Sequence, residues 1–582
     1  MKKYLCNPLN LEYRFQIKKN VMQSEAVFRE AADPTVILFK DIYYLFASMS
    51  GGFWYSDDLY DWKFHETPEL PIYDYAPDVQ IVNGKMIFSA SKNDEKCSFF
   101  ITSDPLSEAF VPVSSPFAFW DPHIFQDDDM RVYFFWGCTN NEPIWGIELD
   151  ATTMMPIGEK VALIGADEEK NGWERSGENN RLSEPVTEMD KLIRSHLGTR
   201  PFFEGAYMNK HHGKYYLQYA APGTQYNVYG DGVYIGENPL GPFKYQIHNP
   251  FSSKPGGFIT GAGHGSTFQD KAGNWWHAST MRISVNENFE RRLGIFPCDF
   301  DGDGVLHCNQ HFADYPFALP EGKRKDINHV VPEWNLLSYG KAVTASSAQR
   351  GFEPGKGVDE DVRTWWVADA KDNAPWYHLD LGNVCDIHAI QVNFAEHCLP
   401  MPDDWGVDAW KGHMDKRLIQ VKPQQTSYLL EGSADGNIWK PICDRRASET
   451  DYSHDLVCLE SSLPLRYLRI SNISLAMKGL AAISGLRVFG QGSGTAPRAV
   501  TAVRARRLAG GMDAELSWQS TDDADGYNIR YGITPDKLYN SWQIFGKNEL
   551  TLSFLNKGTG YYLVVDSFNE NGVTAGNISY MP

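Results

Sequence analysis

The chain has 582 residues, too many for one hydrophobic core and enough for three or more domains of about 100–200 residues. Hydrophobic residues make up 42% and aromatics 13%, and no run of about 18 uncharged apolar residues is present to cross a membrane. A formal net charge of -20 argues against nucleic acid, whose phosphates demand clustered Lys and Arg, and fits a neutral substrate.

The first residues, MKKYLCNPLNLEYRF, lack the apolar core of a signal peptide, and no hydrophobic run precedes Leu5-Cys6 to mark lipidation. Either the chain is cytoplasmic, or an export signal has been removed and its place is periplasmic or extracellular. The nine cysteines are odd in number and match no zinc or redox spacing. Cys298 and Cys308 sit close enough in sequence for a disulfide, with reduced buried thiols an equal alternative.

From Thr35 the chain repeats one design: an apolar strand, a short polar turn, then an aromatic-rich strand. The copies are Thr35 to Ser48, Val79 to Ser91, Pro122 to Gly137, Ala206 to Ala220 and Ser266 to Thr280. Turns such as Asn83-Gly84 and His212-Gly213 belong to β-hairpins. A weaker strand pair follows, as in Gly52 to Phe64, Phe99 to Val113, Ile144 to Ile164 and Gly232 to Gln246. Four strands per unit and five units predict a five-bladed β-propeller over residues 1–321. The predicted fold class is all-β, a propeller followed by two β-sandwiches.

A short motif precedes each inner strand, and radial repetition carries equivalent positions to one mouth of the central channel. Aligned in this way, Asp33, Asp78, Asp121, Glu204 and His264 converge, although 231 positions separate the first from the last. A single Asp-Pro is usually a turn, but five ionisable residues at five equivalent positions point to a site. Like charges confined together raise pKa values and share protons, the property that acid–base chemistry needs.

These motifs resemble those of glycoside hydrolase family 43. The residues that carry the resemblance are Ala31-Ala32-Asp33-Pro34, Trp120-Asp121-Pro122-His123, Phe203-Glu204-Gly205-Ala206 and Gly263-His264-Gly265, over roughly residues 4–320. The resemblance implies inverting hydrolysis of a glycosidic bond, with Asp33 as general base, Glu204 as general acid and Asp121 as the carboxylate that orients the acid and raises its pKa. It implies that His264 stands near a structural calcium reached largely through water, no cofactor being required for the chemistry. Asp78 becomes a candidate sugar contact. Phe202 and Phe203 flank Glu204, where desolvation favours the protonated form.

Outside those motifs, Arg282 follows the fifth inner hairpin as a substrate contact or a plain salt bridge, with Arg291 and Arg292 similarly ambiguous. Trp173, in the long insert between blades three and four, is placed to stack on a sugar, with Phe53 as an alternative. Asp299, Asp301 and Asp303 look like the start of a calcium loop but read better as a hairpin turn.

A charged, Pro-containing linker leads to residues 334–491, which resemble a discoidin-like (factor 5/8 type C) β-sandwich through Trp376-Tyr377-His378-Leu379-Asp380-Leu381-Gly382 and Arg466-Tyr467-Leu468-Arg469-Ile470. Trp365, Trp366 and Trp376 are expected in its core. Residues 498–582 resemble a fibronectin type III domain through Ala514-Glu515-Leu516-Ser517-Trp518 and Gly526-Tyr527-Asn528-Ile529-Arg530-Tyr531-Gly532.

The whole implies an exo-acting glycosidase on an oligo- or polysaccharide of plant or algal origin, an α-L-arabinofuranosidase first and a β-xylosidase or exo-galactanase as alternatives. From another class, an inactive glycan-binding propeller would have little reason to keep Asp33, Asp121 and Glu204 together. Every residue given a chemical role precedes position 320, so catalysis is expected to be separable from the rear domains in a chain ending near Lys325.

Overall fold

The computed structural model describes the chain apart from residues 1, 21–24, 72–74, 93–94, 187–190, 193, 196–197, 330–331, 402–406 and 412–414. Five antiparallel sheets follow one another along the chain, each led by an inner strand: Thr35–Phe39, Tyr75–Val82, His123–Gln126, Glu204–His211 and Thr260–Gln269. These inner strands neighbour one another in a closed ring, the fifth lying against the first. The five-bladed propeller is therefore present, each blade made of four successive strands and the fourth blade carrying one more, Ser252–Ser253.

The blades read as apolar runs because both faces of each sheet are buried. In blade one, Val36, Tyr43, Leu45 and Trp54 pack toward Trp276 and Ile295 of blade five. The alternate residues Ile37, Tyr44, Phe46 and Phe53 pack toward Val79 and Phe88 of blade two. The hairpins close through left-handed pairs such as Asn83-Gly84 (φ 51° and 74°) and His212-Gly213 (φ 48° and 77°), the twist that two-residue turns require.

Residues 335–491 build one branched sheet of eight strands around a core that includes Trp366, Tyr377, Ile390 and Leu486. Trp365 and Trp366 are buried as expected, but Trp376 is 37% exposed and lies outside the core. The last domain packs a three-stranded sheet (Thr501–Arg507, Ala514–Gln519, Glu549–Leu552) on a five-stranded one over Leu516, Trp518, Ile529 and Val565. Asp301 forms the expected hairpin turn, and its carboxylate meets Lys537 and Tyr539 of that domain. Cys298 and Cys308 face each other across paired strands as free thiols. No helix among the described residues is long and apolar enough to cross a membrane.

The seam between propeller and second domain is made of backbone as well as side chains. An N-terminal hairpin, Arg14–Asn20 with Glu25–Glu30, pairs with Asp415–Ile419, a strand of the second domain. Beside it, buried Arg29 holds Glu396 and Asp451, and Arg292 holds Glu396 and His454. Further along, Arg487 forks onto Glu360 between the aromatic rings of Phe258, Tyr315 and Phe489.

Candidate active site

The residue two positions before each second-layer residue adopts the left-handed region: Asp33 (φ 51°), Ala76 (φ 48°), Asp121 (φ 49°), Gly205 (φ 68°) and His264 (φ 47°). For residues other than glycine this conformation costs about 1 kcal/mol or more, and such strain concentrates at functional sites. Two residues further on, Thr35, Asp78, His123, Tyr207 and Ser266 line a second layer, each inner strand touching the next. Thr35 donates to the Pro77 carbonyl, Asp78 accepts from His123 and the Ile124 amide, and the His123 and Tyr207 rings lie 4.2 Å apart. Ser266 closes the circle by accepting the Val36 amide at 3.0 Å.

The upper layer is held by hydroxyls that end neighbouring strands. Ser48 donates to Asp33 at 2.7 Å, Thr280 accepts the Asp33 amide at 2.8 Å, and Ser91 accepts the Asp121 amide at 2.9 Å. His264 Nδ1 stands 3.4 Å from Asp33 and 3.7 Å from Asp121, bridging two carboxylates. A Cβ on Gly205 would come within 2.8 Å of the His264 ring, so only glycine lets blade four approach it. Glu204, just before that glycine, accepts from Tyr229 at 2.5 Å and from the Cys138 thiol at 3.0 Å.

The electrostatics separate these carboxylates. Burial acts to raise Asp33, but Arg291 (3.5 Å away) and His264 outweigh it and hold the group below the usual carboxylate range. Asp121 has no such cation of its own. Burial, Glu204 and Asp33 push it up to about 7 against the opposing pull of His264. His264 is lowered by burial yet raised overall by Asp33, Asp121, Glu204 and Asp231, which favours the imidazolium. The pocket thus sets a carboxylate that favours the ionised form beside one raised toward neutrality.

That pocket has a volume of about 280 Å³, and its walls include Asp33, Asp121, Glu204 and His264. Trp120, Phe202, Tyr75 and Phe289 give it apolar faces suited to a sugar ring. A groove of about 530 Å³ shares Phe202 and Gln225 with it and runs out under the blade-three insert. A cavity of about 550 Å³ between the propeller and the last domain lies apart from this chemistry, and Arg530 there holds Asp566 in a two-pronged pair.

Residues 27–306 match the family model described as Glycosyl hydrolases family 43. These residues form a family 43 domain. A β-xylosidase of Xylanibacter ruminicola is 31% identical over 212 residues, 34% of this chain and 61% of that protein. A xylosidase/arabinosidase of Bacteroides ovatus is 28% identical over 189 residues, 29% of this chain and 54% of that protein. The chain thus spans under two thirds of the length of these two relatives. Among solved structures, a thermostable family-43 glycoside hydrolase aligns with 51% of this chain and 97% of its own at 24% identity and a TM-score of 0.40.

The family 43 domain brings Asp33, Asp121, Glu204 and His264 together, and it removes other expected contacts. Asp78 is buried one layer down, because Pro77 aligns with Pro34 and Pro122 and places Ala76, not Asp78, at the upper position. Phe53 is 0% exposed and stacks on Phe46 inside blade one. Trp173 is also buried, its indole bonded to Tyr245, and its insert docks on the last domain, where a Cβ on Gly172 would meet the Leu555 carbonyl at 2.3 Å. Arg282 lines the outer groove, paired with Glu178 at 2.6 Å, and does not line the pocket.

The carboxylates nearest His264 are Asp33 and Asp121, at 3.4 and 3.7 Å; a calcium there, which takes six to eight oxygens, would draw most of its ligands from water. Asp121, Cys138 and Glu204 cluster within 4.8 Å, and burial with the two carboxylates pushes the Cys138 thiol well up, in keeping with its donation to Glu204.

Four further groups in the family 43 domain's pocket escaped the reading by motif: Cys138, Tyr229, Arg291 as a definite member, and Arg417. Ser48, Ser91 and Thr280, which close the repeated segments of blades one, two and five, were a readable signal for these hydroxyls. Arg417 belongs to the second domain, so that domain supplies part of the pocket wall, which the reading by motif did not include.

Proposed function

We propose that the protein is an inverting, exo-acting glycoside hydrolase that releases terminal pentose from an oligo- or polysaccharide, as an α-L-arabinofuranosidase or a β-xylosidase. The observation that supports this reading is one small pocket that gathers Asp33, Asp121 and Glu204, where Arg291 holds Asp33 below the usual carboxylate range and burial raises Asp121 to about 7. Asp33 takes a proton from water as general base. Glu204 gives a proton to the departing oxygen, with Asp121 as the neighbouring proton store and Tyr229 and Cys138 fixing its orientation. Blades one and four are not neighbours in the ring, so Asp33 and Glu204 face each other across the channel mouth. Inversion requires room for a water between base and acid, and a base and an acid on non-adjacent blades suit that requirement.

A pocket of about 280 Å³ accommodates one sugar ring and favours exo action, with the outer groove taking the rest of the chain. The names of the relatives, xylosidase and xylosidase/arabinosidase, support a pentoside over a hexoside. A panel of 4-nitrophenyl glycosides tests the proposal. Turnover is expected on the α-L-arabinofuranoside or the β-xyloside, and cleavage of hexosides alone, or of none, refutes it.

A further inference from the structure

We infer that Arg417, delivered by a strand of the second domain, is a substrate-positioning residue of the pocket, so that the catalytic centre is shared between two domains. The inference rests on the glycosidase reading and goes beyond the propeller, to which the chemistry was assigned.

The strand Asp415–Ile419 adds to the edge of the N-terminal hairpin, with Arg417 opposite Lys18 in the register. The pairing carries the Arg417 side chain from the second domain to the mouth of the propeller channel. There its guanidinium lies 5.2 Å from the ring centres of both Tyr75 and Phe289, two aromatic walls of the pocket. One amino group donates to Glu30 Oε2 at 2.9 Å, while Arg291 donates to Glu30 Oε1 at 2.5 Å. Arg291 in turn reaches Asp33 at 3.5 Å. Arg417, Glu30, Arg291 and Asp33 are all buried, and a buried carboxylate between two guanidinium groups fixes both cations in place.

Arg417 thus has two consequences for substrate. By holding the other oxygen of Glu30 it fixes the anchor of Arg291, whose second amino group faces Asp33, and so holds the base in position. Its Nε–H is buried without a hydrogen-bond partner in a residue that lines the pocket. An unpaired donor of this kind is costly, and a hydroxyl of the terminal sugar is the partner whose chemistry fits. A site built to bond a hydroxyl also rejects sugars that lack or misplace it, so Arg417 selects as well as holds.

The test uses the full chain and whichever nitrophenyl glycoside the unaltered protein cleaves. Absence of wild-type turnover would count against the functional proposal, whereas the Arg417 variants are read only where turnover exists. Arg417→Met is expected to raise KM, and the Ki of the free pentose, tenfold or more in the folded fraction, with a lowered melting temperature because Glu30 loses a buried partner. Arg417→Lys keeps the charge for Glu30 and loses the Nε donor, so it should fall between the two, at least threefold above wild type. A folded Arg417→Met with KM and Ki within twofold of wild type would overturn the inference and leave Arg417 a strut of the seam. If Arg417→Met does not fold, Arg417→Lys decides alone: KM and Ki equal to wild type overturn the inference, and a threefold rise sustains it.

Discussion

Replacing Asp121 with asparagine separates what this residue does for catalysis from what it costs the fold. Its carboxyl is raised from 3.8 to about 7, chiefly by burial and then by Glu204 and Asp33. In an acid whose folded pKa lies above its unfolded value, the fold disfavours the ionised form. Between these two values the folded state binds more protons than the unfolded one, so stability falls as pH rises through that window. Below about pH 4 there is no penalty, and above about pH 7 it is complete. The interval, at about 1.4 kcal/mol per pH unit, amounts to about 4 kcal/mol, an upper figure because Asp121 is electrostatically linked to its neighbours. Asparagine keeps the oxygen that accepts the Gly205 amide at 3.3 Å and removes the charge. The variant is therefore expected to melt roughly 5 °C higher than wild type at pH 8, and little differently at pH 4. Its kcat should fall by about a hundredfold, because the stored proton is lost. The assay is a pair of thermal melts across pH 4–8 with turnover measured in parallel. A variant no more stable than wild type at pH 8, or one equally stabilised at pH 4, would refute the reasoning.

Asp33→Asn and Glu204→Gln are each expected to lower kcat by several orders of magnitude with the circular dichroism and melting curve preserved; near-normal turnover by either removes it from its role. Proton NMR of the first-formed sugar should show the inverted anomer, and retention would require a nucleophilic carboxylate and new assignments. Cys138→Ser keeps a donor at Glu204 and should hold kcat within about fivefold, whereas Cys138→Asp adds a further buried negative charge beside Asp121 and Glu204 and should abolish turnover. Equal activity in those two variants would show that the thiol position does not bear on the acid.

The propeller was legible because its signal is repeated. Five hairpins with alternating faces, each buried against a neighbour, leave the same mark five times, and the left-handed turn pairs mark where each one closes. Asp33 and Asp121 followed from that periodicity, whereas Glu204 stands one residue before Gly205, which holds the equivalent position in blade four. Asp78 shows the limit of alignment by residue type. An aspartate near the right place drew the register two residues out of line, although the prolines at 34, 77 and 122 specify the true one. Phe53 and Trp173 failed for a different reason. A large aromatic in a blade or an insert is suited equally to a sugar and to a core, and burial, which separates the two, is a property of the packed fold.

Arg417 was out of reach for a stronger reason. Its partner Glu30 lies 387 positions away, and the two meet only because an edge strand of the N-terminal hairpin accepts a strand from another domain. No period in either segment encodes that pairing, since an open edge offers its backbone groups to any strand of compatible shape. The pairing nevertheless has physical and specific consequences. Arg29, Arg292 and Glu30 are buried charges whose partners Asp451, Glu396, His454 and Arg417 all belong to the second domain. Removing one partner of a buried pair typically costs about 3–5 kcal/mol, because the remaining charge has neither water nor a counter-ion. Several such pairs on one seam, continuous through Arg291 with the proposed base, bind the position of Asp33 to the docking of the second domain. The boundary between catalytic and accessory domains therefore runs through the pocket, and the domain that looked like an appendage is part of its wall.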